Sequence, residues 1–306
     1  MELSRLEGEH SVKITDEIVR VEPPGTPEGE ENLGIELAAE LRKAVRYADY
    51  FHEIPEAQHD FTESANRSID LSWGDLTPMF DARNTENLWL EIANTLANIR
   101  FQLAQSRAYK ALEPPPNPAD RRSEQLRYYA HFAKMNHLDL AVFGLAKIQD
   151  LTVRLLFENF GGDKFIPVDQ SDPDWEKKLT LKEARKGLKA RLDSGELPQS
   201  DYDQIVGALD EPSKSSHQAT VVLYRNRLAH RIRASVDYSE LFTELEDRVG
   251  MAIFDSAGKE KGRQFAIKAR PSKPDFAFMD LYSALLDYLK HVIEMLTRLK
   301  RMPRFA

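Results

Sequence analysis

"VVLYRNRLAHRIR", residues 221 to 233, places an asparagine, a histidine and four arginines in a segment whose other residues have the spacing of a buried helix. At about 100° per residue, Val221, Val222, Tyr224, Leu228, Ala229 and Ile232 spread over one apolar arc, and Arg225 falls in its middle. An arginine aimed at the protein body is costly unless paired or solvated, because the guanidinium cannot shed its charge. Two compensations are open. A core acid such as Asp139 or Asp150 would make Arg225 structural, with His230 a helix C-terminal histidine favoured by the dipole. An open cleft meant for phosphate would make it functional. Asn226 and His230 are four apart, so they sit one above the other and border the side from which Arg225 projects. The three can converge on one opening.

Outward from this helix, the spacing predicts an all-α protein. Residues 119 to 160 form the longest helical stretch, read as two helices joined near Met135 to His137 and buried on most sides. Lys147, Asp150, Arg154 and Glu158 make its single charged stripe, with Asp150–Arg154 and Arg154–Glu158 in pairing register. Residues 177 to 193 read as a basic amphipathic helix, Pro198 stands near the start of another, and the quoted helix spans roughly residues 212 to 233. A last helix carries the apolar stripe Phe278, Leu281, Leu285, Leu289, Val292, Leu296 and Leu299 and should pack against the long one. Between them, MAIFDSAGKEKGRQFAIKA has two alternating runs around a Gly- and Lys-rich turn, a small β-hairpin near residues 250–270.

The chain ahead of the bundle reads as accessory. Residues 1–34 combine strand-like HSVKI and EIVRVE with the Pro-, Gly- and Glu-rich linker PPGTPEGEENLG. Residues 35–115 hold two helices, one from Leu37 and one behind the polar start NTEN, with residues 54 to 84 mostly irregular. Pro114, Pro115, Pro116 and Pro118 mark the boundary with a bundle of residues 116–306.

Composition narrows the function classes. With 306 residues, 42% apolar and 30% charged, the chain has no run near the roughly 18 apolar residues of a membrane helix. It also has no cysteine for a disulfide or thiolate site and no signal-peptide pattern, so a cytoplasmic protein without membrane partner is expected. A net charge of -8 speaks against whole-surface nucleic-acid binding. Three segments are locally basic nonetheless: Lys177 to Arg191, Arg225 to Arg233, and Lys290 to Arg304. Converging, they would make a positive cleft on an acidic body; apart, each is a solvated helix face.

The run Arg225-Asn226-Arg227-Leu228-Ala229-His230 resembles the R-N-x-x-x-H form of the Arg-to-His motif of the HEPN superfamily, helical proteins found among toxins, phage-defence factors and RNA-processing nucleases. The likeness extends over residues 118 to 302 and leaves residues 1 to 115 unmatched. It implies a HEPN-type bundle, usually a homodimer with two motifs facing one cleft, that cuts RNA without metal or other cofactor through attack of a 2′-hydroxyl on the neighbouring phosphate. An antitoxin or defence protein would be its partner. On this reading His230 is general acid or base, since histidine titrates near neutral pH. Arg225 stabilises the charged phosphate, Asn226 orients His230 or a phosphate oxygen, and Arg227, Arg231 and Arg233 hold neighbouring phosphates. One departure is Ile232, where nucleotidyltransferase-paired members carry a tyrosine; Tyr224 and Tyr238 are nearby but regulation at that tyrosine does not carry over. The competing reading is a non-catalytic helical RNA-binding or protein-interaction scaffold, favoured if acidic side chains line the cleft.

Other constellations carry less. His52, Glu53, Glu56, His59 and Asp60 in HEIPEAQHD match no metal spacing and read as a polar loop, while His131 and His137, six apart, share no face. Phe160-Gly161-Gly162 ends a helix and lacks the Gly-Lys-Ser/Thr of a phosphate loop.

Overall fold

The computed structural model describes residues 11–14, 17–20, 27–58, 61, 77–115, 117, 119–169, 171–229, 236–237, 243–254, 260–271 and 275–305. The protein is predominantly helical. It divides into two compact units, one made of residues 37–231 and 281–306, the other of residues 1–36 and 232–280. Among the described residues no helix is long and apolar enough to cross a membrane.

The larger unit is organised by two long antiparallel helices, α2 (Thr77–Leu112) and α3 (Arg121–Asn159), which follow α1 (Pro27–Ala44). Their partners run in opposite directions along the pair. Asn159 Nδ2 donates to Thr85 Oγ1, Gln102 Oε1 meets His137 Nδ1, and Ser106 Oγ donates to the Lys134 carbonyl. Apolar residues fill the seam: Leu88, Ile92, Leu96, Ile99 and Leu103 from α2, and Leu138, Val142, Leu145, Ile148 and Leu155 from α3, are all buried. Gly144 lets the helices close, because a Cβ there would lie 2.5 Å from Ile99 Cγ1.

Where the two helices join, charge is buried. The Lys134 side chain is 0% exposed and its Nζ lies 3.0 Å from Glu113 Oε2; Glu113 is 2% exposed and also meets Lys110 at 3.0 Å. His131 stands 3.6 Å from the other carboxylate oxygen. The prolines that follow Glu113 end α2, and Asp120 restarts the chain as α3 by accepting from the backbone N–H groups of Arg122 and Ser123.

Shorter helices close the unit: α4 (Leu181–Asp193), α5 (Gln199–Leu209) and α6 (Gln218–Ala229). Thr180 caps α4 by accepting from Glu183 N, and Gly187 is needed because a Cβ there would sit 2.6 Å from the Phe165 carbonyl oxygen. Glu211, nearly buried, gathers Lys214 at 2.7 Å, His291 at 3.1 Å and Arg298 at 3.2 Å. These cations, Lys214 foremost, hold its carboxyl below the usual range and fasten the turn before α6 to the last helix, α7 (Phe278–Lys300). Leu281, Leu285, Leu289, Val292, Leu296 and Leu299 of α7 are buried as the stripe requires. Beyond α7, the Phe305 carbonyl accepts from Trp89 Nε1 at 2.7 Å.

The smaller unit contains two antiparallel pairs: β1 (Ser11–Ile14) with β2 (Glu17–Arg20), and β3 (Thr243–Phe254) with β4 (Glu260–Pro271). The longer pair shifts register between Leu245 and Asp247 and again between Ile253 and Phe254. In the same unit Asp237, at φ 64, accepts from the backbone N–H of Phe278, a left-handed position that aspartate tolerates.

Several expectations shift. Helix α1 begins at Pro27, inside the segment read as linker up to residue 34, since a proline and three glutamates suit a helical first turn. Helix α2 begins at Thr77 rather than behind NTEN; Pro78 falls in its first turn, where no donor is lost. The long stretch is one helix through Met135 to His137, pinned there by Ser106 and Gln102 of α2. The proline run marks a connection between two helices of one unit, so the division of the chain falls elsewhere.

Because Lys134 is fully enclosed with Glu113, Lys134→Met should lower unfolding free energy by about 3–5 kcal/mol, the cost of leaving a buried charge with one partner fewer. Urea denaturation measures it; a loss under about 1 kcal/mol would mean that water reaches the pair.

Candidate functional site

Helix α6 lays Val221 and Tyr224 into the core, Val222, Arg225, Arg227 and Leu228 at its margin, and Leu223, Asn226 and Ala229 outward. The buried arc is narrower than the sequence pattern suggests. Its anchor is Tyr224, 1% exposed, whose hydroxyl donates to Asp139 Oδ1 of α3 at 2.6 Å. Asp139 therefore serves the tyrosine.

One residue on, the Arg225 guanidinium reaches across to α3, where Nη1 donates to the Gln149 amide oxygen at 3.3 Å. Among the described residues no carboxylate forms an ion pair with it. It stands on the wall of an open groove of about 600 Å3 formed with α3, the turn Trp175–Lys178 and the start of α4. Four cations line this groove, Lys147, Arg154, Lys177 and Arg225, against the three carboxylates of Glu91, Asp150 and Glu176. Three of the cations are spoken for: Lys147 by Glu91 at 2.8 Å, Arg154 by Glu176 at 3.2 Å, and Lys177 by Asp174 at 2.7 Å. Asp150 opens onto the groove, where desolvation by its walls lifts the carboxyl above the ordinary range and the charge of Arg225 pulls it back. This pairing leaves over Arg225 and Asp150, which feel each other's charge without forming an ion pair.

The predicted residues divide accordingly. Arg225, Asn226 and Arg227 are placed on α6, while His230, Arg231 and Arg233, together with Ile232 and Tyr238, lie outside the described residues. Among the described residues the first two basic runs meet only where Lys177 and Arg185 line hollows that Arg225 shares. Lys178, Arg185, Lys186, Lys189 and Arg191 are bound by Asp172, Asp210, Glu183, Asp193 and Glu196. Lys290 and Arg301 line a different groove, beside His52, Glu53 and Glu294, and Arg304 rests over the Phe160 ring. In HEIPEAQHD the acids bind α2, Glu53 to Arg107 and Glu56 to Arg100; His59 and Asp60 lie outside the described residues. Among the described residues no three potential ligands converge to hold a metal ion.

Sequence reasoning missed Gln149 and Tyr288. Gln149 neighbours the legible charged stripe Lys147, Asp150 and Arg154, and that adjacency was the available signal. Tyr288 of α7, half-buried, has its hydroxyl pKa raised by burial while the Arg225 charge opposes the rise. No one-dimensional pattern relates a residue on α7 to one on α6.

An arginine without a carboxylate partner can be removed cheaply. Arg225→Gln should change unfolding free energy by less than about 1 kcal/mol in urea denaturation, as for ordinary surface positions. A loss of about 3 kcal/mol or more would reveal a buried ion pair. Comparison with protein-family models, with curated proteins and with solved structures returns no match, and the function is therefore argued from this geometry.

Proposed function

We propose that the protein is a metal-independent endoribonuclease of the HEPN type. The observation that carries the reading is the guanidinium of Arg225, which makes no ion pair among the described residues, on the wall of an open groove whose other cations are paired with carboxylates. Such a group has fixed donors, keeps its charge at any physiological pH, and is worth most where the incoming ligand is a phosphate. In this account α3 to α7 form the bundle, β3 and β4 are an insertion between motif helix and closing helix, and the active species is a homodimer.

The chemistry follows from the residue types. A 2′-hydroxyl of RNA attacks the adjacent phosphorus, the new 2′-oxygen–phosphorus bond forms, and the 5′-oxygen–phosphorus bond breaks. The products are a cyclic phosphate and a free 5′-hydroxyl. His230 takes the proton of the attacking hydroxyl or returns one to the leaving oxygen. Arg225 stabilises the charge that accumulates on the phosphate oxygens, Asn226 orients His230 or a phosphate oxygen, and Arg227, Arg231 and Arg233 hold flanking phosphates. A toxin or phage-defence effector, working in the cytoplasm under an antitoxin or defence partner, is the biological role this activity fits.

A second reading has its own support. Glu91, Asp150 and Glu176 line the groove, and most of the Lys177 to Arg191 run is neutralised by acids, as suits a non-catalytic scaffold that binds RNA or a protein.

RNA cleavage by the purified protein in excess chelator separates the two. The intact protein should cut, and both His230→Ala and Arg225→Ala should lose about 100-fold or more with folding intact, the size of an acid–base or electrostatic contribution. RNA left uncut by the intact protein would replace the nuclease reading with the scaffold.

A further inference from the structure

Behind Arg225 lies a second hollow, smaller and more enclosed, of about 160 Å3. It shares Arg225 and Gln149 with the open groove, so the same guanidinium forms part of both walls. Leu145 and Ile148 of α3, Val222 of α6, and Val292 and Met295 of α7 supply the apolar part of the lining. Arg185 also borders it, but its charge is taken by Asp210 at 2.6 Å.

Beside the two guanidiniums, the polar groups that line the hollow, among them Gln149, Gln218 and Tyr288, are neutral. Half-buried Tyr288 lines the hollow, and its hydroxyl makes no hydrogen bond among the described residues. Gln218 makes only a long contact of 3.5 Å to Ser213 Oγ and keeps amide capacity in reserve. With Arg185 paired to Asp210 and Arg225 shared with the open groove, the rest of the lining offers apolar side chains and uncharged donors and acceptors, a poorer match for a phosphate than the groove itself. The hollow suits an uncharged planar ring with hydrogen-bonding edges, and its volume equals about five waters at roughly 30 Å3 each, the scale of a nucleobase. A ring in the slot and a phosphate in the groove would both touch Arg225. Unpaired bases splayed from single-stranded RNA are read in this way, by enclosure and edge contacts.

We propose that this hollow takes one unpaired nucleobase of the RNA whose phosphate lies at Arg225, so that Tyr288 and Gln218 read a base beside the bond that is cut. The inference rests on the phosphate-binding reading of Arg225. Its consequence is base preference at one position next to the cleavage site, set by α6 and α7.

Binding of the four nucleoside 5′-monophosphates, measured beside ribose 5-phosphate by calorimetry on the full chain, tests it without requiring cleavage. At least one nucleotide should bind about tenfold or more tightly than ribose 5-phosphate, the margin that a few matched edge contacts supply. Tyr288→Phe should reduce that margin and Val222→Trp, which fills the hollow, should abolish it, with ribose 5-phosphate affinity kept in both. The conservative Tyr288→Phe retains the test if the tryptophan disturbs folding. Four nucleotides binding no better than ribose 5-phosphate would overturn the base pocket and leave the phosphate site standing. A margin that survives both variants would overturn it too, because the base would then bind elsewhere. If ribose 5-phosphate and all nucleotides fail to bind, the phosphate reading of Arg225 falls and the base pocket falls with it.

Discussion

The antiparallel seam of α2 and α3 is the constraint on which the larger unit depends. It is closed at the connection by the buried pair of Glu113 and Lys134 and lined along its length by aliphatic side chains. Two charges out of water are stable only with good geometry and further partners, and here Lys110 and His131 stand beside the same carboxylate. The pair also favours one register, because sliding either helix by a turn would strand a lysine or a glutamate in the core. With the seam set, the outward side of α3 presents Asp139 to α6 and Gln149, Asp150 and Arg154 to the groove.

That presentation explains why Arg225 is where it is. Tyr224, locked to Asp139, fixes the rotation of α6, and the next residue must then point about 100° further round the axis. The side chain arrives at Gln149, which accepts a hydrogen bond but offers no charge. Ion pairs between exposed groups contribute little to stability, so the pairing of Lys147, Arg154 and Lys177 has its main effect on the electrostatics of the groove. Close pairs nearly cancel at a distance, whereas a single cation whose nearest partner is an amide does not.

Much of this was legible in one dimension. The 3.6-residue period revealed α3, α6 and α7, the basic amphipathic pattern and Pro198 marked α4 and α5, and the mid-arc position of Arg225 flagged the site. What was not legible depended on partners distant in the chain. Met135 to His137 looked like a joint because polar residues interrupt the stripe there, but His137 and the Lys134 carbonyl find partners on α2 that keep the helix continuous. The prolines at 114 to 118 read as a boundary because proline stops a helix whether the chain leaves the unit or turns back into it. Asp139 was a sound candidate to pair with Arg225, yet a tyrosine one residue earlier reaches it first. Whether the basic runs converge stayed open in the sequence, because acidic partners such as Asp210 for Arg185 stand far off in it.

The central claim is that Arg225, free of any ion pair among the described residues, supplies its positive charge to a phosphate ligand. Its most direct test is the salt dependence of binding of a short single-stranded RNA, made resistant to cleavage by 2′-deoxy substitution, to the intact protein and to Arg225→Gln. Each phosphate neutralised on a single strand contributes roughly 0.7 to the slope of log affinity against log salt concentration, so the variant should bind more weakly and with a slope smaller by about that amount. Equal affinity and equal slope in the two proteins would contradict the claim and leave Arg225 as a surface residue of a helical scaffold.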